Sequence, residues 1–476
     1  MKLCELLENK AVTSIGDAEI SGVTDDTRKV GEGSLFVCVK GGRFDGHSAA
    51  AEMLEKGAAA VVCDHDLGLG EKQIIVDNTR RSYGELCAAW FGHPEKKLKM
   101  IGVTGTNGKT TITNIIKHIL MKNGHKTGLV GTIQNEIGGE VLHTDNTTPM
   151  THDFMELLAK MVEADCEYVV MEVSSFGLVQ NRIGSSHFEV AAFTNLTQDH
   201  LDYHKDMEDY YQAKKLLFGK CDTALINIDD DYGKRLFDET ECRKLSFSIK
   251  QNSDYYADGI KLKAAGSSFW FCKGEKSHLV RIMIPGLFNV SNVTCAIAVC
   301  MELGISLDDI ISAVEEYPGV KGRCEIIPTG RDFTVICDYA HTPDAIENVL
   351  KSVREYTENR LICLFGCGGN RSKLRRYEMG EVSGRLADLT VITSDNPRDE
   401  EPQAIIDDIK AGMAKTEGKY VEIPDRKEAI AYAIHHGEPG DIVVLAGKGH
   451  EDYQEIKGKK YPMDERVLIA DILAGK

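Results

Sequence analysis

No two cysteines in this chain have the CxxC spacing of a zinc or redox motif, although 14 are present. The closest pairs, Cys295 with Cys300 and Cys363 with Cys367, fit no usual zinc signature. A secretory segment is missing as well. The opening run MKLCELLENK sets Glu5 and Glu8 where a signal peptide carries an apolar stretch. No apolar run approaches the roughly 18 residues that span a bilayer. A cytoplasmic protein with reduced, buried thiols and no membrane partner is expected. Positive charge is in deficit: 56 Lys and Arg against 74 Asp and Glu leave −18. That disfavours nucleic acid or an anionic membrane as partner. It leaves room for an anionic small substrate, because a few local basic residues can outvote the global field. There is no internal repeat of the solenoid kind and no low-complexity linker.

What is present is a chain of 476 residues, 42% hydrophobic and 27% charged, ordinary for a globular protein but too long for one core. Its patterning separates three regions. Residues 1–97 mix short strands such as SLFVCV with small helices and end in the polar run HPEKKLK. Residues 98–329 open on the strand KMIGVTG, pass through TNGKTT into the helix ITNIIKHILMKNG, and continue with strands at EYVVMEV, EVAAFTN and TALIN. Residues 330–476 hold four apolar strands, FTVICDYA, RLICLFG, LTVITSD and DIVVLAG, each followed by a polar loop. Strands alternating with helices predict α/β architecture. The expected domains are a mixed α/β N-terminal one, a central P-loop ATPase-like parallel sheet and a Rossmann-like C-terminal one.

The segment Gly102–Thr111 lies between a predicted strand and a predicted helix. Its glycines, Gly105 and Gly108, let successive backbone N–H groups of Thr106, Asn107 and their neighbours turn toward a phosphate, and the helix start adds positive potential. Lys109 can reach the terminal phosphates, Thr110 can help hold Mg²⁺, and Thr111 continues the turn. Val103 stands where the usual phosphate loop has Gly. Downstream, Glu172 ends one strand, and NLTQDHLDYH, with Asp199 and His200, follows the next. An acid and a histidine at strand ends can face bound phosphates and ligate Mg²⁺.

TGTNGKT resembles the nucleotide loop shared by the Mur ligases and the folylpolyglutamate synthetases, and the resemblance to Mur ligases extends over nearly the whole chain. It implies ATP and Mg²⁺, the ion being held by Thr110, Glu172, His200 and a modified Lys214. The segment AKKLLF at 213–218 is similar to the one whose lysine carries CO₂ as a carbamate in that family. A carbamate is an anion with two oxygens, suited to a metal that would repel an ammonium. Lys109, Glu172, His200 and Lys214 are therefore the expected catalytic set. By the same likeness, Asn289, Arg323 and Asp338 hold the adenine nucleotide. Thr27 of DDTRKV and Gly42, Arg43 and Phe44 contact a UDP-sugar. Asn146, Thr147, Thr148, Ser174, Gln180 and Arg182 bind a muramoyl peptide, and Arg182 offers a planar charged fork for a carboxylate or phosphate.

The loops after the C-terminal strands carry Arg371, then Asp395, Asn396, Pro397 and Arg398, then Gly447 to Glu451. In an open α/β sheet such loops share one rim, where ligands bind. Two arginines, two acids and an amide there suit a zwitterion with an extra carboxylate. SDNPRDEEP is similar to the DNPR signature of the diaminopimelate-adding Mur ligases. The chain departs from the family at Phe176, where the family has His, and at Asn370, where it has Asp. It also lacks the proline that follows that Asp. The expected reaction attacks the γ-phosphoryl of ATP with the D-Glu γ-carboxylate of UDP-N-acetylmuramoyl-L-alanyl-D-glutamate. The amine of meso-diaminopimelate then attacks the acyl phosphate. A monomer is expected. The same ligase acting on L-lysine or L-ornithine, a folylpolyglutamate synthetase, and an inactive ligase-like scaffold are the alternatives.

Overall fold

A computed structural model describes residues 1–8, 18–42, 44–199, 203–263 and 266–475. The first region builds a four-stranded parallel sheet from Gly22–Thr24, Ser34–Val37, Ala60–Cys63 and Gln73–Ile75, in that order. Successive residues face opposite ways. Leu35, Val37 and Val62 point toward helix Thr79–Trp90, while Phe36, Val61 and Cys63 pack under helix Ala50–Glu55. The first face shares one apolar cluster with Phe154, Leu158 and Met171 of the second region, so those two regions are joined by a common core.

The second region is an 11-stranded sheet. Its parallel stretch runs from Tyr255–Lys263 through Arg243–Ser248, Cys221–Asn227, Phe188–Phe193, Lys99–Thr104 and Tyr168–Glu172 to Thr127–Val130. Antiparallel strands extend it at both edges. Sequence patterning missed most of these outer strands, because KLKAAGSSFWFCKG reads as two polar-faced halves of a hairpin without a continuous apolar run. Lys99–Thr104 is central and leads into helix Lys109–Lys122. Ile112, Ile115, Ile116 and Ile119 of that helix are all buried. Their i, i+3, i+4, i+7 spacing overrides the weak helix propensity of β-branched residues.

The third region is a six-stranded sheet in the order Glu325–Ile327, Thr334–Asp338, Ile442–Ala446, Leu361–Phe365, Leu389–Ile392 and Tyr420–Glu422. All four expected strands are present and mutually parallel. The sheet also takes in Glu325–Ile327, upstream of residue 330, as an antiparallel edge. Ile336, Cys363 and Val444 meet helices on one face, and Val335, Ile362 and Val443 on the other, giving a sheet covered on both sides.

Candidate active site

Two cavities open between the second and third regions. The larger, about 570 Å³, is lined by the phosphate loop from Thr106 to Thr111 with Thr132, Thr147, Glu172, Ser174 and Lys214. Arg323, Asp338, Tyr339 and Asp344 close it from the other side. The smaller, about 230 Å³, is lined by Arg371, Arg375, Asp395, Asn396, Arg398, Gly447 and Glu451. Asp199, Tyr339 and His341 belong to both.

The phosphate loop leaves its strand at Gly105, whose φ is +150°. A β-carbon there would run into Thr194, so only glycine passes. Lys109 Nζ donates to the carbonyls of Gly105 and Thr106, both at 2.8 Å. Lys214 Nζ donates to the same Gly105 carbonyl at 2.8 Å. Lys214 is 2% exposed and lies over the ring of Tyr210 at 4.6 Å. Burial, with Lys109 beside it, holds its amine well below the ordinary lysine range. Burial lowers the Lys109 ammonium too, while Glu172 and Asp199 oppose the shift.

Glu172 is buried at the end of its strand. Its two oxygens accept from the backbone N–H and the hydroxyl of Thr132, each at 2.9 Å. Asp338 accepts from Cys324 N–H at 2.6 Å and Ala340 N–H at 2.7 Å. Burial raises its pKa nonetheless, with Arg323 pulling the other way. Arg323 stacks on Tyr339, and its Nε is a buried donor with no hydrogen-bond partner among the described residues. A buried, unused guanidinium N–H beside two buried lysines fits an anionic ligand such as a nucleotide. Thr110 Oγ1 and the Glu172 oxygens fit an oxygen-ligated Mg²⁺.

Not every expected residue reaches a cavity. Asn289 turns inward: its amide donates to Pro285 O at 2.7 Å and its oxygen accepts from Asn292, and Asn292 is the residue on the wall. Thr148 is buried, its hydroxyl donating to Glu172 O and accepting from Ser174 N–H. Arg182 spends its fork on Gln180 Oε1 and Thr148 O, so it braces this segment. Asn146 is exposed and Pro397 lines neither cavity. Thr27, Gly42 and the exposed Phe44 lie in the N-terminal region. His200 and Arg43 fall outside the described residues. The Phe176 departure places an aromatic ring against Tyr203 at 4.0 Å between centroids. Asn370 adopts a φ of +56°, which asparagine tolerates, its N–H donating to Glu400.

In the smaller cavity Arg398 donates to Gly369 O at 2.7 Å and to Glu455 at 3.2 Å. Glu451 accepts from Asn396 at 2.9 Å and from the buried Lys448 at 2.8 Å. Arg375 and Asp344 line the cavities although the sequence alone did not single them out. Each sits one or two positions from a noticed motif or on a following helix, where no composition signal sets it apart.

Three stretches match the descriptions Mur ligase family, catalytic domain (residues 19–90), Mur ligase middle domain (103–300) and Mur ligase, glutamate ligase domain (322–449). The chain belongs to the Mur ligase family. As a member it is an ATP-dependent ligase of peptidoglycan precursor synthesis. It is 43% identical to the UDP-N-acetylmuramoyl-L-alanyl-D-glutamate–2,6-diaminopimelate ligase of Syntrophomonas wolfei, covering 100% of both chains. The ligase of the same name from Geobacillus kaustophilus is 41% identical, with 98% of each covered. A solved structure bearing that name superposes with a TM-score of 0.75 at 30% identity, over 100% of this Mur ligase and 99% of the other chain. The MurF ligase of Thermotoga maritima, solved in complex with ADP, shares the fold with a TM-score of 0.60 at 19% identity, over 91% and 94%. No helix among the described residues is long and apolar enough to cross a membrane.

Proposed function

We propose that this ligase joins the γ-carboxylate of D-glutamate in UDP-N-acetylmuramoyl-L-alanyl-D-glutamate to an amine of meso-diaminopimelate. One observation carries the reading: the phosphate-loop cavity and the arginine-lined cavity share a wall at Asp199, Tyr339 and His341. A carboxylate activated beside Lys109 can therefore meet an amine held on the C-terminal rim without crossing solvent. The names of the relatives support the same substrates.

ATP supplies the phosphoryl group that turns the carboxylate into a mixed anhydride. Lys109 and Arg323 neutralise charge as it builds on the phosphoryl oxygens. Thr110 and Glu172 would hold Mg²⁺, together with Lys214 once modified, and the ion would neutralise phosphate charge there. The lowered pKa of the buried Lys214 amine favours addition to CO₂ with loss of a proton, which would leave a carbamate anion. Asp338 and Arg323 orient the nucleotide from the C-terminal side. Thr27, Gly42 and Phe44 receive the UDP-sugar, and Ser174 and Thr147 the peptide end. Arg371 and Arg398 grip the distal carboxylate that distinguishes diaminopimelate from lysine, while Asp395 and Glu451 face its ammonium groups. Both cavities are built by one chain, which supports a monomer as the working unit. The charged sugar nucleotide supports a cytoplasmic reaction.

The test is phosphate release from ATP by the purified chain with the UDP-muramoyl dipeptide and either meso-diaminopimelate or L-lysine. Release with a new tripeptide from diaminopimelate alone is expected. Turnover with lysine instead would overturn the specificity, and no turnover with either would overturn the ligase reading.

A further inference from the structure

Away from both cavities, two histidines and two aspartates from separate segments converge at the edge of the N-terminal sheet. His47 lies in the turn Gly46–Ala49, downstream of strand Ser34–Val37, and Asp64 and His65 directly follow the neighbouring strand Ala60–Cys63. The parallel register of these strands brings the segments side by side at their carboxyl ends, the edge at which α/β sheets bind ligands. The His47 side chain is only 8% exposed. Its Nδ1 is 2.6 Å from Asp45 Oδ1, and a carboxylate can only accept, so the ring proton sits on Nδ1. Nε2 then accepts a long hydrogen bond from the Asp64 backbone N–H at 3.4 Å and lies 3.1 Å from Asp64 Oδ1. His65 Nδ1 approaches the same Asp64 Oδ1 at 2.6 Å, and the two imidazoles stack with centroids 4.9 Å apart. One ligand atom from each of His47, Asp64 and His65 lies within 4.8 Å of the other two.

Among the described residues only that long bond serves Nε2, and a cation seated between it and Asp64 Oδ1, a second proton or a metal ion, would satisfy both electron-pair donors better. Two imidazoles with one carboxylate form the donor set of zinc and its first-row neighbours, whereas Mg²⁺ and Ca²⁺ prefer oxygen alone. Asp45 stands behind His47 as the carboxylate that fixes the tautomer of a metal-binding histidine. We propose that His47, Asp64 and His65 form a site for a divalent transition-metal ion, independent of the nucleotide site. None of the three lines either active-site cavity. The ion would tie the end of strand Ala60–Cys63 to the turn at His47 and stabilise the N-terminal sheet.

The experiment is calorimetric titration of the full-length chain, free of affinity-tag histidines and without nucleotide, with ZnCl₂ in chelator-stripped buffer. The wild type is expected to bind one equivalent, and its unfolding midpoint is expected to rise with zinc concentration. His65 is largely exposed, so His65→Ala should fold normally yet bind at least about tenfold more weakly. Asp45→Asn should weaken binding about 10–100-fold through the outer carboxylate. Both variants should retain ATP-dependent phosphate release. Stoichiometric binding unchanged in His65→Ala would overturn the site by placing zinc elsewhere. Absence of binding in the wild type would also overturn it, leaving only histidine–aspartate hydrogen bonds in its place.

Discussion

Asn107 of the phosphate loop donates its side-chain amide to Asp344 Oδ2 at 3.0 Å, and Asp344 begins the first helix of the C-terminal region. The same oxygen accepts from Thr197 at 2.9 Å. Nearby, Arg375 reaches Asp199 at 3.6 Å and Arg323 reaches Thr110 at 3.4 Å, so the C-terminal region is latched onto the nucleotide loop by a few polar contacts. Asp344→Ala should loosen this latch and lower kcat for phosphate release. A double-mutant cycle with Asn107→Ala should give a coupling of about 0.5–3 kcal/mol. Additive single effects would mean that the contact does not act in turnover.

Lys214 links pH to stability. Its folded pKa is lowered from the ordinary 10.5, so between the two values the unfolded chain binds a proton that the folded chain does not. Stability therefore rises with pH across that interval, and its contribution falls as the solution is acidified. Lys214→Met should flatten the slope and raise stability near neutral pH in CO₂-free buffer, as read by denaturant unfolding at pH 7 and pH 9. If Lys214 carries the proposed carbamate, the same change should cut phosphate release by about 10²-fold or more through loss of an anionic metal ligand. Equal slopes for the two proteins would show that the buried amine stays charged.

Arg398 has a defined cost. A hydrogen bond to a charged group is worth about 1.5–3 kcal/mol, or roughly 10–150-fold. Arg398→Ala should lower kcat/KM for meso-diaminopimelate by that factor and leave any turnover measured with L-lysine at high enzyme concentration nearly unchanged. Steady-state kinetics with the two amino acids at equal concentration would decide it. A parallel loss for both would make Arg398 a brace for Gly369 and Glu455 only.

Arg426 and Glu465 form a fully buried pair at 2.7 Å, and Arg426 also donates to Ala446 O at 2.9 Å and Ser394 O at 3.3 Å. Those carbonyls immediately precede Gly447 and Asp395, so the pair fixes two rim loops. Arg426→Ala should destabilise the protein by about 3–5 kcal/mol, because Glu465 is left buried and unpaired. Combining Arg426→Met with Glu465→Leu should recover most of that in chemical denaturation. Recovery of stability without recovery of kcat/KM would assign the pair to loop placement.

Much of the site was legible in one dimension. The phosphate loop, Glu172 and the rim residues Arg371, Asp395, Asn396 and Arg398 line the cavities from strand ends and loops that motif and periodicity mark, whereas only the family resemblance pointed to Lys214. Asn289 was misplaced by one helical turn: it and Asn292 share a face of helix Leu287–Glu302, and packing alone determines which of them reaches the cavity. Arg182 and Thr148 carry the right chemistry, but it is consumed by Gln180, Glu172 and Ser174. Whether a polar side chain is free or already bonded is a property of its neighbours, not of its sequence.

The sequence by itself determined the α/β alternation, the four inner C-terminal strands, the nucleotide loop and the Mur ligase family, because these depend on local periodicity, glycine geometry and short motifs. Only the tertiary structure decided that Lys214 shares a carbonyl with Lys109 and is buried where its pKa is lowered. It also decided that Asp344 closes on Asn107 from 237 residues away, and that His47 meets Asp64 and His65. Burial and long-range approach set the charge of a group and the company it keeps, and neither is written in the spacing of residues along the chain.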